Sequence, residues 1–437
     1  MTQRGVFRDS VLGLCLALAM LVAVEIALRA GASYSDQPFS QSGMSDMVFE
    51  PHPLYKVGLK PGLARSFQRK EGGKLVITGW STNSRSFRGP EVQADRPALR
   101  VVVYGDSNVF AQFSNDEATF PAKLQVLLRE ATQNNVEVLN AGVPGFGPDQ
   151  SYLRMEQEID SLKPDIVILH VFADNDFGDV IRNRLFKLGP SESLVRLPQL
   201  LQPDPCLTRD PTCFPSMASN RIENALSSLA IVQTGRSLFR QVPIIGGWAD
   251  PSPSSVIQAY LRLCENEYRL YQGTTAGQTS HFADHYDFDV ALFPASESAR
   301  TKVKLMKGLL TLAQSLAEAK RTKLLVVIQP SSMDLTTHLS PNYRDFSAFA
   351  AYRKDGLTNL VEQSARQHNI DVVNLFPLFA EHNPQQLFLP NGDDHWSDAG
   401  QQLAAQTVAG MIKNRYLDPA KVQPPPSNHQ QDRLLRG

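Results

Sequence analysis

Short apolar segments alternate with amphipathic ones along much of this chain, and this alternation limits the fold more than any other feature. Strand-like segments begin at Leu99 (LRVVVY), Val136 (VEVLN), Asp165 (DIVILHV), Lys323 (KLLVVIQP) and Asp371 (DVVNLF), and residues between them have helical spacing. Apolar strands separated by helices form parallel sheets that are covered on both faces. The sequence therefore predicts an α/β fold in three layers.

The alternation is interrupted between about residues 181 and 297, where no regular order of strand and helix is evident. We interpret this block as an insertion that is largely helical and rich in loops. Insertions of this size usually lie over the carboxyl ends of the strands. We assign residues 33–97 to a linker and an N-terminal lead-in, 98–417 to the main domain, and 418–437 to a flexible tail.

The N-terminus predicts an association with a membrane. The run from Val11 to Leu28 would form a helix about 27 Å long, enough to span the hydrocarbon layer. Arg4 and Arg8 precede it, which favours a cytoplasmic stub, a signal-anchor within residues 1–32, and an extracytoplasmic domain, periplasmic or extracellular. The small residues at 30–32 leave open cleavage after Ala32, which would give a secreted protein.

Composition excludes several other classes of protein. The chain has 43 Lys and Arg against 44 Asp and Glu, which argues against a nucleic-acid-binding protein. Its 42% hydrophobic content excludes global disorder. Four cysteines are too few for a disulfide scaffold. Cys206 and Cys213 suit a loop-closing disulfide in an oxidising compartment, and the alternative that all four thiols are unpaired stays open.

Four polar segments lie where an open parallel sheet carries its functional groups, beyond the carboxyl ends of the strands. GDSN occupies 105–108, NAGVPG 140–145 and ADND 173–176, while DDHW at 393–396 precedes the last helix. Together they supply a hydroxyl, a backbone that a substrate can approach closely, a carboxamide, and an imidazole beside a carboxylate.

These groups suit acyl transfer. Ser107 is a nucleophile once a base removes its proton, and His395 is the predicted base. Asp393 would hold the imidazole in the required tautomer. The N–H groups of Ser107 and Gly145 and the side-chain amide of Asn175 would form the oxyanion hole. This chemistry requires no metal and no organic cofactor.

The same four segments resemble the sequence blocks of the SGNH (GDSL-type) hydrolases, over about residues 99–180 and 323–416. The resemblance implies a flavodoxin-like sheet of the SGNH type and the same roles for Ser107, Gly145, Asn175, Asp393 and His395. The lead-in TNSRSFRGPEV also looks like that of membrane-anchored bacterial members.

Two positions depart from the usual SGNH pattern. Ala173 replaces a glycine, and Gly392 stands where the acid of an Asp-x-x-His block is common. The Asp-x-His-Trp form is similar to that of polysaccharide O-acetyltransferases in the same superfamily. Hydrolase and transferase therefore both stay open.

Other interpretations of these residues are weaker. The glycines at 142, 145 and 147 have the wrong order and strand for a dinucleotide-binding loop. His281 and His285, with Asp284 and Asp287 nearby, have a spacing that suits a metal, but a polar surface of the insertion is the better interpretation.

We predict a serine esterase that acts on acetyl or other acyl esters of a glycan through an acyl-enzyme on Ser107. One alternative is a polysaccharide O-acetyltransferase with the same Ser-His-Asp site. The other is a non-catalytic envelope protein that binds or assembles glycan. The predicted partners are an ester substrate, in particular an acylated glycan, and the membrane through the N-terminal helix. Nucleic acid is not a predicted partner.

Overall fold

A computed structural model describes residues 48–71, 74–197, 253–273, 284–336, 346, 349–390 and 394–417. The predicted signal-anchor, the Cys206 and Cys213 pair and the predicted tail from 418 lie outside these ranges. Within them, no helix combines the length and the apolar character needed to cross a membrane.

A parallel sheet of five strands forms the centre of the fold. Its strands are β1 (Leu99–Gly105), β2 (Val136–Gly142), β3 (Ile166–Phe172), β4 (Lys323–Gln329) and β5 (Asp371–Asn374). They lie in the order β5-β4-β3-β1-β2, and every neighbouring pair is parallel. This 2-1-3-4-5 order is that of flavodoxin-like sheets. The predicted α/β fold with a parallel sheet is confirmed.

Twelve helices are described within these residue ranges. They are α1 (Ser107–Phe110), α2 (Phe120–Thr132), α3 (Pro148–Leu162), α4 (Asp176–Asn183), α5 (Pro253–Tyr271), α6 (Phe288–Leu292), α7 (Glu297–Ala319), α8 (Ser332–Leu335), α9 (Gly356–Gln367), α10 (Phe376–Glu381), α11 (Pro384–Leu387) and α12 (Asp398–Ile412).

Side chains of the strands alternate between two cores, one on each face of the sheet. Along β1, Val102 and Tyr104 join the core that is covered by α3, α7 and α9. Val101 and Val103 join the opposite core, which α2 and α12 cover. These four side chains are fully buried. The apolar runs in the sequence therefore reflect burial on both faces, as a three-layer fold requires.

Local sequence sets where the helices begin. Thr119 caps α2 by accepting a hydrogen bond from the N–H of Ala122 at 3.3 Å, and Pro121 occupies the first turn. Ser397 caps α12 through the N–H of Gly400 in the same way. The pattern AYRKDGLTNLVEQSARQ predicts a helix from Ala351, but α9 begins at Gly356 because turns occupy part of the preceding segment.

Residues before β1 pack onto the main domain instead of forming only a linker. Two antiparallel hairpins pair Phe49–His52 with Lys56–Leu59 and Ala64–Glu71 with Lys74–Ser81. The side chain of Trp80 is buried in the core on the α3 side of the sheet. The lead-in is therefore part of the folded unit from residue 48 onward.

Arg88 links the lead-in to the segment that follows β1. Its guanidinium donates to the backbone carbonyls of Phe110 and Ala111, and to that of Ser114 at 2.6 Å. It also pairs with Asp116 at 2.8 Å, and its side chain is 1% exposed. One buried cation thus satisfies the carbonyl groups at the end of α1, where a helix lacks internal partners.

The part of the insertion that is described contains a short hairpin, α5 and α6. The hairpin pairs Phe186–Leu188 with Leu194–Arg196. Cys264 on α5 is a buried free thiol, and burial raises its pKa above the ordinary range. A thiol in that state packs as a small apolar group.

We expect Arg88→Ala to lower the free energy of unfolding by about 3–5 kcal/mol, because it leaves buried carbonyls and a carboxylate without their partner. Urea unfolding measures the loss. Arg96→Ala is the control, since the Arg96 and Asp165 side chains are 52% and 35% exposed and such pairs contribute about 1 kcal/mol or less. Equal losses of unfolding free energy in the two variants would contradict the conclusion that the buried contacts of Arg88 stabilise the fold.

Candidate active site

Ser107 lies at a tight turn between β1 and α1. Asp106 caps α1, and its carboxylate accepts from the N–H of Asn108 at 2.9 Å. Ser107 is partly exposed although both of its neighbours are buried. A Cβ atom at Gly105 would lie 2.9 Å from Cβ of His170, so the turn needs glycine there. The turn therefore presents one hydroxyl at the carboxyl edge of the sheet.

His395 reaches this hydroxyl directly. Its Nε2 atom lies 2.8 Å from Oγ of Ser107, which is the distance that proton transfer requires. The imidazole is 13% exposed, and the ring of Phe113 packs edge-on against it at 5.0 Å. The structure thus brings together the predicted nucleophile and the predicted base.

Asn108, which sequence reasoning did not single out, connects the two loops. Its side-chain oxygen accepts from the N–H of Trp396 at 3.3 Å, and its carbonyl accepts from Gln401 at 3.2 Å. The carbonyl of His395 in turn accepts from the N–H of Leu389 at 2.9 Å. The residue after the nucleophile therefore positions the residue after the base.

Trp396 anchors the same loop in the core. Its indole ring lies 6.1 Å from the ring of Phe120, 5.8 Å from Phe379 and 5.4 Å from His170. Burial lowers the pKa of His170, the second histidine of the region, and so disfavours its charged form. It packs and hydrogen-bonds to Gln329 at 3.1 Å.

A carboxylate lies beside the imidazole of His395. Asp393, the predicted partner, lies outside the described residues. Oδ1 of Asp394 lies 3.3 Å from Nδ1 of His395, and the Asp394 side chain is 38% exposed. Asp394 thus contacts the ring nitrogen for which the sequence predicts Asp393 as the partner.

Gly145 lies in the turn that follows β2. The carbonyl of Gly105 accepts from the N–H of Val143 at 3.0 Å, which joins this turn to the end of β1. Gly145 has φ of 80°, in the left-handed region that favours glycine. It is partly exposed, while Pro144 and Phe146 are buried. Its backbone is therefore the accessible part of this turn.

Asn175 is the N-cap residue immediately before α4, just beyond β3, and is 4% exposed. Its side-chain amide donates to Oδ1 of Asp284. Its backbone carbonyl accepts from Arg182 at 3.1 Å. Among the described residues, neither Gly145 nor Asn175 hydrogen-bonds to Ser107. Their predicted oxyanion role therefore depends on a substrate oxygen that would lie between them.

Carboxylates crowd this edge of the sheet. Burial raises the pKa of Asp174 well above its ordinary value, and the charge of Asp394 adds to the effect. Burial also raises the pKa of Asp176, assisted by Asp179. The hydroxyl of Ser331 donates to Asp174. Ionised carboxylates in this region repel one another, so its stability depends on the few cations that pair with them.

Arg182 and Lys302 are two such cations, and both are buried. Arg182 contacts Asp179 at 2.6 Å and Glu267 at 3.4 Å. Lys302 contacts Asp287 at 3.0 Å and Asp289 at 2.7 Å. This network joins α4 to α5, α6 and α7. It connects the insertion to the loop that carries Asn175.

His285 belongs to this network, so its assignment to a polar surface was wrong. It is buried, and its Nε2 atom lies 3.1 Å from both carboxylate oxygens of Glu267. Burial alone would raise the pKa of Glu267, but the charges of Arg182 and His285 lower it to about 2. His281 lies outside the described residues. Within those residues no cluster of three or more His, Cys, Asp or Glu side chains suits a metal ion.

Comparison with known families supports the resemblance that the sequence indicated. Residues 289–432 match a family model described as an SGNH hydrolase-like domain of the acetyltransferase AlgX. The match includes His395 and begins after Ser107, Gly145 and Asn175. No curated protein sequence matches this chain.

Several solved structures are distantly similar. The acetyl xylan esterase AlAXEase is 14% identical, with a TM-score of 0.34, over 72% of this chain and 100% of its own. The esterase EstA from Pseudoalteromonas sp. is 13% identical, with a TM-score of 0.34, over 72% of this chain and 97% of its own. A catalytic mutant of an acetylxylan esterase from Geobacillus stearothermophilus is 12% identical, with a TM-score of 0.35, over 73% of this chain and 96% of its own. Likenesses this weak carry no argument about the substrate of this chain.

The family match confirms the resemblance to the SGNH hydrolases. Together with the parallel sheet and the Ser107–His395 pair, the match supports an enzyme that acts on ester bonds.

The resemblance to SGNH hydrolases implies that Asp393 fixes the imidazole tautomer, and on that prediction we expect Asp393→Asn to lower kcat by about 10⁴. Asp394→Asn should have a much smaller effect, since a partly exposed carboxylate is screened by water. Steady-state rates on an acyl ester measure both variants. The reverse ranking would assign the orienting role to Asp394.

Proposed function

We propose that the protein transfers acyl groups from ester substrates through a covalent intermediate on Ser107. The observation that carries this proposal is the 2.8 Å contact between Nε2 of His395 and Oγ of Ser107. A serine hydroxyl in that position is activated because the imidazole accepts its proton as the oxygen attacks.

In the first half of the reaction, Oγ of Ser107 attacks the ester carbonyl carbon and its proton moves to His395. The carbonyl oxygen becomes an oxyanion, stabilised by the N–H groups of Ser107 and Gly145 and the amide of Asn175. The C–O bond to the leaving alcohol then breaks, and His395 returns the proton to that alcohol. The acyl group is left on Ser107.

In the second half, an acceptor hydroxyl attacks the acyl-enzyme while His395 takes the acceptor proton. The C–Oγ bond breaks, and the proton passes back to Ser107. Water as acceptor makes the protein an esterase, and a sugar hydroxyl makes it a transferase. A transferase must exclude water from the acyl-enzyme.

We propose a glycan as the natural substrate and acetyl as the acyl group. The matched family is described as an acetyltransferase, and acetyl transfer to or from sugar hydroxyls requires no metal or organic cofactor. The predicted extracytoplasmic location, where envelope and secreted glycans lie, is consistent with this substrate.

A second candidate, polysaccharide O-acetyltransferase, is favoured by one observation. The family match covers 289–432, the part of the chain that carries His395 and the Asp-x-His-Trp segment. That part of the site is thus described by a transferase family. The two candidates share every chemical step except the identity of the acceptor.

Release of p-nitrophenol from p-nitrophenyl acetate distinguishes them. We expect Ser107→Ala to abolish release, because the acyl-enzyme cannot form. Steady release into water indicates an esterase. A stoichiometric burst that turns over only when glycan oligomers are added, with acetyl mass on the oligomer, indicates a transferase. Equal release by Ser107→Ala and wild type would exclude the proposed mechanism.

We expect Asn175→Ala to lower kcat by about 10²–10³ with little change in KM, because the amide acts mainly on the oxyanion of the transition state. The matched control is Asn359→Ala on α9, whose amide hydrogen-bonds to Asp355. Thermal unfolding should show that both variants are folded. A loss that appears in KM instead would place Asn175 in substrate binding.

A further inference from the structure

Asp284 lies against the predicted oxyanion hole. Its Oδ1 atom accepts a hydrogen bond from the side-chain amide of Asn175. Three residues on, the N–H of Asp287 donates to the carbonyl of Asp174 at 2.6 Å, and its carboxylate accepts from the N–H of Gly178 at 2.9 Å. These bonds on both sides of Asn175 hold the Asp284 segment in place.

Asp284 is also the solvent-exposed member of the charge network around Arg182. Its side chain is 46% exposed, whereas that of Arg182 is 2% exposed. Nη2 of Arg182 lies 3.8 Å from Asp284 but only 2.6 Å from Asp179. Because Arg182 also contacts Glu267, one cation is shared among three carboxylates. Much of the Asp284 charge therefore remains available to a group that enters the site.

A second carboxylate lies beside the predicted base. Asp394 is beside His395 at 3.3 Å. An acyl group on Ser107 with its oxygen directed at Asn175 would thus lie near both.

We propose that Asp284 determines acyl specificity by excluding acyl groups that carry a negative charge. The proposal rests on the proposed function, since it concerns the acyl group bound to Ser107. Neutral groups such as acetyl meet no repulsion there. A dicarboxylic half-ester, such as a succinyl group, would bring an anion toward Asp284 in a partly desolvated site.

The hydrogen bond to Asn175 also gives Asp284 a positioning role. Substitutions separate this role from the effect of its charge. Asp284→Asn removes the charge but keeps a side-chain oxygen for the Asn175 amide. Asp284→Glu keeps the charge. Asp160→Asn is the distant control, because the side chain of Asp160 on α3 is 72% exposed and pairs with Lys320.

The experiment compares kcat/KM for p-nitrophenyl acetate with that for p-nitrophenyl hemisuccinate at pH 8, in the full chain. We expect Asp284→Asn to raise the hemisuccinate-to-acetate ratio roughly tenfold. Asp284→Glu and Asp160→Asn should leave it near the wild-type ratio. Added salt should raise the wild-type ratio, because the repelling carboxylate is partly exposed. If the acyl-enzyme hydrolyses slowly, the mass added to the protein by each ester gives the same comparison between acetyl and succinyl transfer.

The outcomes separate this inference from the proposed function. An unchanged ratio in Asp284→Asn, while Ser107→Ala abolishes acylation by both esters, would overturn the role of Asp284 and leave Ser107 in place. An Asp160→Asn ratio that rises as much as that of Asp284→Asn would also overturn it. Acylation that survives Ser107→Ala would overturn the proposed function and this inference together.

Discussion

The hydrogen bond between Ser107 and His395 joins residues 288 positions apart, so the fold must hold two separate loops in register. The turn after β1 carries Ser107, and the segment before α12 carries His395. Asn108 bonds to that segment through its side chain and through its carbonyl. The geometry of the Ser107–His395 pair thus depends on the amide residue next to Ser107.

A few buried cations form ion pairs with the acids around the site. Arg182 faces the loop with Asn175, Lys302 holds Asp287 and Asp289, and Arg88 closes the end of α1. Removing charges from water is costly, and each of these cations offsets that cost only while its partners stay in place. The loops around the active site are therefore fixed by ion pairs that would be unfavourable if any member moved away.

The sequence predicted the sheet because its strands are apolar on both faces, and it predicted Ser107, Gly145, Asn175 and His395 from their positions after strands or before a helix. It could not reveal pairs that form only in three dimensions. Arg88 and Asn108 carry no local signal of their contacts.

His285 shows the same limit more clearly. A polar residue in a polar segment indicates a surface, yet Glu267 and Arg182 make burial possible for it. Those partners lie 18 and 103 positions away along the chain. Local sequence patterns predict the burial of apolar side chains well, but they predict the burial of paired charges poorly.

The wide separation of Ser107 from His395 has a consequence for how the protein is made. Ribosomes add roughly 5–20 residues per second, so the 288 positions between the two side chains take about 15–60 s to synthesise. Throughout that interval the growing chain carries a serine without its base. The pair forms only after His395 has been synthesised, so a shorter nascent chain carries Ser107 without the imidazole that would activate it.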